Sequence, residues 1–245
     1  MHVLNAFSRN QPELSLAALS ALVGIDKVIV HRMLKTMMEG GVVEQDHTTK
    51  QYRLGPKVGD FAAVRRSMVR PVEHAVDLLL SVHEKTDETV HLAQLEDEFV
   101  IVTFSVSSTQ GLRVVMSVGE RLPFYCTGPG LLYLAYADAE FREIELSRRM
   151  RRRASGTITD RKVIESILPD IRKKGIAIVD STYSDGSKAI TAPIFNKSGQ
   201  LIAAASVLGP SIRLQGKDET RVETMIVNAA QQISKRHGYQ TKRNS

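Results

Sequence analysis

The sequence predicts an α+β protein in three parts: an N-terminal winged helix-turn-helix, a linker helix, and a larger α+β domain. Residues 1–56 contain two amphipathic helical patterns joined by a short glycine-containing turn and followed by a hairpin pattern. Residues 57–70 have one uninterrupted helical pattern, and residues 71–245 mix strand-like and helical segments. A chain of 245 residues is long enough for two ordinary domains.

The second helix of the pair, within residues 24–39, has an apolar side and a polar side. Asp26 is a favourable N-cap, and no Pro or Gly interrupts the run before Gly40. The apolar side is predicted to be buried and carries Val30, Met33, Leu34 and Met37. The outer side carries Val28, His31, Arg32, Lys35, Thr36 and Glu39. The preceding helix covers residues 15–23 and is capped by Ser15.

Two short strands follow this helix pair directly. Residues 42–45 and 51–54 have strand patterns, and the polar residues 46–50 form the turn between them. The helix pair alone is equally compatible with a helical hairpin in a core. The added hairpin favours a winged helix-turn-helix, whose second helix enters the DNA major groove. The candidate DNA contacts are Lys27, Val28, His31, Arg32, Lys35 and Thr36 on the helix, with Lys50 and Arg53 on the wing.

The distribution of charge supports a DNA-binding N-terminal part. The net charge is +6, and residues 1–70 hold ten Lys/Arg against six Asp/Glu. A compact basic module is what phosphate neutralisation requires. The one cysteine, Cys126, excludes an internal disulfide and a cysteine-based zinc site, so we expect neither a metal nor a cofactor. No apolar run approaches the ~20 residues of a membrane span, and no signal pattern is present, so we expect a cytoplasmic protein.

The remaining elements are predicted as follows. Residues 1–7 form most of a first helix, residues 8–14 a connection, and Pro71 starts a helix over residues 72–84 that opens the second domain. Strands are predicted at 89–95, 99–104, 112–118, 176–179, 188–195 and 201–207. Helices are predicted at 128–137, 139–153 and 160–174 and from Gly216 onward, before a disordered tail at 240–245.

Several short strings in a fixed order resemble one known family. They are Val-His-Arg-Met-Leu-Lys-Thr at 30–36, Gln-Tyr-Arg-Leu-Gly at 51–55, Glu-Thr-Val-His-Leu-Ala at 88–93, and the segments 118–128, 174–177, 192–195 and 203–210. Over nearly its full length the chain resembles the IclR family of transcriptional regulators. The resemblance implies a GAF-like C-terminal domain that binds a small metabolite, with dimers that often pair into tetramers. The implied function is a metabolite-responsive repressor of a catabolic operon.

The resemblance also places an effector pocket in the second domain. The implied lining is Cys126, Thr127, Gly128, Pro129, Val179, Ser187, Lys188, Ala189, Ser206 and Leu208. Members that bind small acids have polar groups at several of these positions, whereas Val179, Ala189 and Leu208 are apolar. We therefore expect a ligand larger and less polar than glyoxylate or pyruvate, such as an aromatic acid with its carboxylate near Lys188.

Two further departures from the family pattern concern the N-terminal part. A pair of small polar residues usually opens the recognition helix, but Val28 and Ile29 stand there in this chain. These side chains cannot bond phosphate, although Val28 can contact a thymine methyl, so we expect weaker or altered operator binding. The family's several residues before the first helix are missing, which indicates a shortened chain or a late start.

The same residues leave two alternatives to a DNA-binding regulator. A sensor that has lost operator binding is motivated by Val28 and Ile29. An enzyme on the α+β domain would need Cys126 or His91 as nucleophile or base. Cys126 has no activating partner nearby in sequence, and His91 lies in an alternating strand, so we expect no enzyme activity. The arginines at 148–153 are interpreted as a solvated helix end rather than a second nucleic-acid contact.

Overall fold

The computed structural model describes residues 2–8, 11–68 and 74–240, and of residues 63 and 65–68 only the backbone. The chain divides into two compact units, Met1–Val69 and Arg70–Ser245, which are described separately. Five predictions fall wholly or partly outside the described residues: the first residue of the helix at 1–7, residues 9–10 of the connection, the end of the linker helix at 69–70, the helix start at 71–73, and the disordered tail, of which only residue 240 is described.

The first unit is a small helical domain with a three-stranded antiparallel sheet in the order β1-β3-β2. Its elements are a 3₁₀ helix at Leu4–Ala6, β1 (Glu13–Leu14), α1 (Leu16–Val23), α2 (Lys27–Glu39), β2 (Val43–Gln45), β3 (Tyr52–Leu54) and α3 (Lys57–Met68). Leu19 of α1, Val30 and Leu34 of α2, and Val43 and Tyr52 of the sheet form its core. The helix pair and the wing thus close over one set of apolar side chains.

Local hydrogen bonds set the ends of α1 and α2. Ser15 Oγ accepts a hydrogen bond from the Ala18 amide at 3.2 Å, and Asp26 Oδ1 accepts one from the Val28 amide at 2.8 Å. Gly24 ends α1 in the left-handed region with φ +68°. Of the predicted apolar stripe, Val30 and Leu34 are buried, but Met33 is 43% exposed because it lies at the edge of the stripe.

Two predictions for this unit are wrong. Of the predicted first helix at residues 1–7, the described residues 2–7 contain only a short 3₁₀ helix at Leu4–Ala6. A segment this short gains too few backbone hydrogen bonds to offset the cost of nucleating an α-helix. The connection at 8–14 contains β1, which has only two residues and is therefore too short to show an alternating pattern.

The second unit is a six-stranded antiparallel sheet with helices on both faces. Its helices are α4 (Val76–Thr86), α5 (Gly128–Tyr136), α6 (Ala139–Ser147), α7 (Arg161–Lys174) and α8 (Gly216–Arg236). Its strands are β4 (Thr89–Glu96), β5 (Phe99–Val106), β6 (Arg121–Leu122), β7 (Ala177–Asp180), β8 (Ser187–Phe195) and β9 (Leu201–Pro210), in the order β6-β5-β4-β9-β8-β7. Apolar side chains of α4 and α8 cover one face, and those of α5, α6 and α7 cover the other.

Two predicted elements of this unit differ from the structure. Residues 112–118 are not a strand: they form an irregular segment whose carbonyl groups bond side chains instead of a neighbouring strand. Thr89 Oγ1 donates to the Val114 carbonyl and Ser105 Oγ donates to the Met116 carbonyl. The edge strand of the sheet is instead β6. Helix α6 ends at Ser147 rather than 153, because Arg148 is extended and contacts Glu98 and Glu145.

Candidate functional site

A cavity of about 600 Å³ lies in the second unit against the face of the sheet that α5 covers. Its walls come from the start of α5, the irregular segment 112–116, the loop 182–186, and strands β4, β7, β8 and β9. Eight of the ten predicted effector residues line it: Thr127, Gly128, Pro129, Val179, Ser187, Lys188, Ala189 and Leu208. Cys126 and Ser206 are buried but do not line it.

The start of α5 is held close to the sheet by its glycines. Thr127 Oγ1 accepts a hydrogen bond from the Gly130 amide at 3.1 Å, which caps the helix. A Cβ on Gly128 would lie 2.1 Å from Thr191 Oγ1, and a Cβ on Gly130 would lie 2.4 Å from Phe124 Cα. Only glycine permits these approaches, so the Gly-Pro-Gly turn fixes one wall of the cavity.

An apolar row crosses three strands of the cavity floor. Val179 on β7 pairs with Ala189 on β8, and Ala189 pairs with Leu208 on β9. Directly opposite residues of antiparallel strands point to the same face of the sheet. The three side chains therefore form one continuous apolar surface below the start of α5.

The next row along the same face is polar and includes a histidine. His91 on β4 lies between Ser105 on β5 and Ser206 on β9, and Ser206 pairs in turn with Thr191 on β8. The Ser206 and Thr191 hydroxyls bond each other at 3.0 Å, and Ser206 does not line the cavity. His91 lines the cavity, yet neither ring nitrogen has a hydrogen-bond partner in the described part of the chain.

Burial determines the charge state of His91. His91 is 1% exposed, and removal from water lowers the pKa of the imidazole to about 3. The ring is therefore neutral at physiological pH and offers one N–H donor and one acceptor nitrogen. In the sequence His91 is recognisable only as a member of an alternating strand, and no local pattern shows that its ring lacks partners.

Lys188 and Arg113 both line the cavity, but they differ in their contacts. Lys188 Nζ lies 3.0 Å from Glu219 Oε2 and 3.4 Å from Asp180 Oδ2. Burial opposes the charge of Lys188, but the bonds to Glu219 and Asp180 outweigh it and raise the pKa of the ammonium. Arg113 is exposed, donates to the Gln110 carbonyl at 3.1 Å, and has no ion pair with any described residue. Sequence reasoning missed Arg113, because it took residues 112–118 for a strand.

The predicted DNA contacts on α2 all lie on its exposed side. Lys27, His31, Arg32 and Lys35 are exposed, and Val28 is 68% exposed. Thr36 is also exposed, but its hydroxyl donates to the Arg32 carbonyl at 3.2 Å. The outer side of α2 thus presents cations and an apolar side chain to solvent, as a recognition helix must.

The two predicted cations of the wing have different roles. Lys50 is exposed at the end of the turn, with φ +60° and its carbonyl bonded by Gln45 Nε2 at 2.9 Å. Arg53 lies on the middle strand β3 and bonds Glu44 at 2.6 Å on one side and Glu13 at 3.1 Å on the other. Its charge is compensated within the sheet, whereas Lys50 forms no ion pair with the described part of the chain.

The groups considered for catalysis are not activated. Burial raises the pKa of the Cys126 thiol to about 11, so the nucleophilic thiolate is scarce at neutral pH. Nothing in the described ranges groups three or more His, Cys, Asp or Glu side chains as a metal site would. Nor do those ranges contain a helix with the length and apolarity to cross a bilayer.

The arginine cluster at 148–153 lies beyond the end of α6, not in its last turn. Arg148 pairs with Glu98 and Glu145, Arg152 Nη2 donates to the Ser155 carbonyl at 2.7 Å, and the Arg153 guanidinium lies 4.9 Å from the centre of the Tyr183 ring. These three arginines therefore hold the loop that follows α6.

A winged helix-turn-helix followed by an α+β unit with a ligand-sized cavity is the arrangement of a transcriptional regulator. The family model of the bacterial transcriptional regulator IclR C-terminal domain matches residues 64–235, and the IclR helix-turn-helix model matches residues 1–47. The chain belongs to the IclR family, and the α+β fold class with a winged helix and a GAF-like domain is confirmed.

Three similar proteins illustrate this membership. The HTH-type transcriptional regulator KdgR of Escherichia coli is 28% identical over 93% of this chain and 87% of its own length. The crystal structure of the IclR transcriptional regulator from Alicyclobacillus acidocaldarius has a TM-score of 0.77 at 26% identity, over 95% of this chain and 94% of that one. An IclR homolog from Microbacterium hydrocarbonoxydans, complexed with 4-hydroxybenzoate, has a TM-score of 0.75 at 25% identity, over 96% and 95%.

Proposed function

We propose that this chain is a cytoplasmic, metabolite-responsive repressor of a catabolic operon. It binds an operator as a homodimer or a pair of dimers, and a small carboxylic acid in the cavity changes its affinity for DNA. The observation that carries the proposal is the cavity of about 600 Å³ on the sheet of a chain whose other unit is a winged helix-turn-helix. A ligand can shift operator affinity only as far as it binds two arrangements of the protein differently.

The lining supports an acid with an apolar body. The row formed by Val179, Ala189 and Leu208 suits a ring or hydrocarbon chain better than a two-carbon or three-carbon acid. The similar homolog that holds 4-hydroxybenzoate supports an aromatic acid for this chain too. The size and apolar floor of the cavity thus agree with the ligand class expected from the sequence.

Arg113 is the better candidate to bind the carboxylate. A guanidinium binds a carboxylate through two parallel hydrogen bonds, and Arg113 has no competing acid among the described residues. Lys188 is already held by Glu219 and Asp180, so an incoming carboxylate would meet two like charges there. We therefore assign the carboxylate to the Arg113 side of the cavity and a positioning role to Lys188.

The DNA-binding surface combines α2 with the tip of the wing. Arg32, Lys35 and His31 are placed to contact base edges or phosphates, and Lys50 to contact the backbone. Val28 is free to contact a thymine methyl. Two-fold dimers predict a near-palindromic operator with half-sites about one helical turn apart, or a multiple of it.

The effector proposal is tested by a thermal-shift screen of carboxylic acids, from two-carbon acids to aromatic ones. An acid present at 100 times its dissociation constant stabilises the protein by about 2.7 kcal/mol, which raises the unfolding midpoint visibly. The variant Ala189→Phe fills the cavity floor and is expected to abolish the shift. Ile178→Phe, on the exposed side of β7, is the matched control and is expected to keep it. A shift that survives Ala189→Phe would place the ligand elsewhere.

A sensor without operator binding is the second candidate, favoured by the exposed apolar pair Val28 and Ile29 at the start of α2. A footprinting experiment on the DNA upstream of the protein's own gene separates the two. A protected, salt-sensitive segment supports the regulator. Ligand binding with no protected DNA in a genome-wide binding experiment would support the sensor instead.

A further inference from the structure

We propose that His91 recognises a neutral hydroxyl group on the effector, so that the ligand is a hydroxy-substituted aromatic acid. The inference rests on the proposed function, because it concerns the same cavity. The hydroxyl lies at the end of the ligand opposite the carboxylate, and His91 is the residue that selects it.

The first step is that His91 has hydrogen-bonding capacity that no protein group uses. Both hydroxyls beside it are engaged elsewhere: Ser206 bonds Thr191, and Ser105 donates to the Met116 carbonyl at 2.7 Å. The ring itself has no partner in the described part of the chain, although it is 1% exposed. Buried polar groups are normally paired, and His91 lines the cavity, so a ligand bound there can supply its missing partner.

The second step is the placement of polar groups around the cavity. Arg113 lies on an exposed segment at the rim, whereas His91 lies on a central strand at the floor. The lining also includes the apolar side chains of Val114, Met116 and Leu208. This placement fits a ligand with a charged end at the rim, an apolar body, and a polar group at the buried end.

The third step is the chemistry of that polar group. A second carboxylate at the floor would be buried without a cation, at a large cost in desolvation. A neutral imidazole has one donor and one acceptor, and a hydroxyl can both donate and accept. A methyl or hydrogen in the same position would leave His91 unpaired. A hydroxyl is therefore the group that the floor of the cavity selects.

The test compares acids of equal size that differ in this one group. Isothermal titration of the full chain is done with 3- and 4-hydroxybenzoate and with their methyl counterparts, 3- and 4-methylbenzoate. The wild type is expected to bind at least one hydroxy acid about tenfold or more tightly than its methyl counterpart. In His91→Leu this preference should fall to within about twofold or reverse. In Arg113→Gln both acids should weaken by a similar factor while the preference stays.

A second measurement separates recognition from a structural role. Since His91 makes no hydrogen bond to the described protein, His91→Leu should leave the unfolding midpoint unchanged or raise it. A drop of several degrees would assign His91 to the support of the fold and overturn the inference.

The outcomes also separate this inference from the proposed function. If the acids bind but the wild type shows no hydroxyl preference, or if His91→Leu keeps it, the role of His91 is wrong and the effector cavity stands. If none of the four acids binds, the proposal that the effector is a hydroxy-substituted aromatic acid is overturned. If in addition no acid of the wider screen binds, the effector proposal fails as well.

Discussion

On the outer side of α2, Arg32 and Lys35 are exposed and form no ion pair with described residues, whereas in the cavity Lys188 is held between Glu219 and Asp180. The difference follows from what each surface would bind. A DNA backbone carries many charges and is met by free cations in water. A small acid in an apolar cavity is met by few polar groups, because each buried charge must be paired. The exposed, unpaired cations of α2 therefore suit a charged DNA backbone, whereas the paired lysine and apolar lining of the cavity suit a small ligand.

Gly130→Ala is expected to have the largest effect, because it changes packing beside the cavity. The new Cβ would lie 2.4 Å from Phe124 Cα and 2.5 Å from the Pro123 and Phe124 carbonyl oxygens, all of them backbone atoms that cannot rotate away. We expect the free energy of unfolding to fall by about 3 kcal/mol and the acid-induced thermal shift to be lost. Chemical denaturation measures the loss. Val28→Ala on the exposed side of α2 is the control and should change stability by less than about 0.5 kcal/mol.

Arg32→Gln combined with Lys35→Gln should change DNA binding without changing stability. Operator affinity is expected to fall by about 10- to 100-fold, and the slope of log affinity against log salt to decrease by roughly 2. Fluorescence anisotropy over a salt series measures both quantities. Unchanged affinity and slope would show that α2 is not the DNA-contacting helix.

The pH dependence of stability reports on the buried neutral state of His91. The pKa of about 3 in the folded protein is below the ordinary value near 6.5, so the unfolded chain binds the proton first as pH falls. Its contribution to stability is present above about pH 6.5 and is lost as the pH falls toward 3. The wild type should thus lose about 3 kcal/mol more than His91→Leu between pH 7 and pH 4. Parallel curves for the two proteins would mean that His91 is solvated.

Arg113→Gln should weaken acid binding by about tenfold, since it removes a charge-assisted hydrogen bond from the carboxylate. Lys188→Gln should act mainly on stability, because it leaves Glu219 and Asp180 without their shared cation. Titration calorimetry and thermal unfolding of both variants separate these effects. The reverse pattern would return the carboxylate to Lys188.

Arg53→Gln is expected to have the smallest effect on DNA. Its guanidinium is already bonded to Glu44 and Glu13, so operator affinity should stay within about twofold of the wild type. Lys50→Gln on the same wing is the matched variant and should reduce the salt slope by about 1. Equal losses for both would mean that Arg53 leaves its ion pairs to bind DNA.

Sequence reasoning succeeded where structure is decided by neighbouring residues. Ser15, Gly24 and Asp26 set the ends of α1 and α2 through contacts within five residues, and their roles could be read directly. It failed where distant segments decide. Residues 112–118 look like a strand, but residues 112–116 wall a cavity. The partner of Arg53 on β1 lies 40 residues away in sequence. The unpaired state of His91 depends on three strands that meet only in the fold.

We propose that a ligand in the cavity controls the binding of the N-terminal unit to DNA. The most direct measurement is the operator affinity of the full chain with and without a saturating acid from the thermal-shift screen. We expect operator affinity to change by about 5- to 150-fold, and the affinity for the acid to change by the same factor when operator is present, because the coupling is reciprocal. An acid that binds the cavity and leaves operator affinity unchanged would show that the cavity does not control DNA binding.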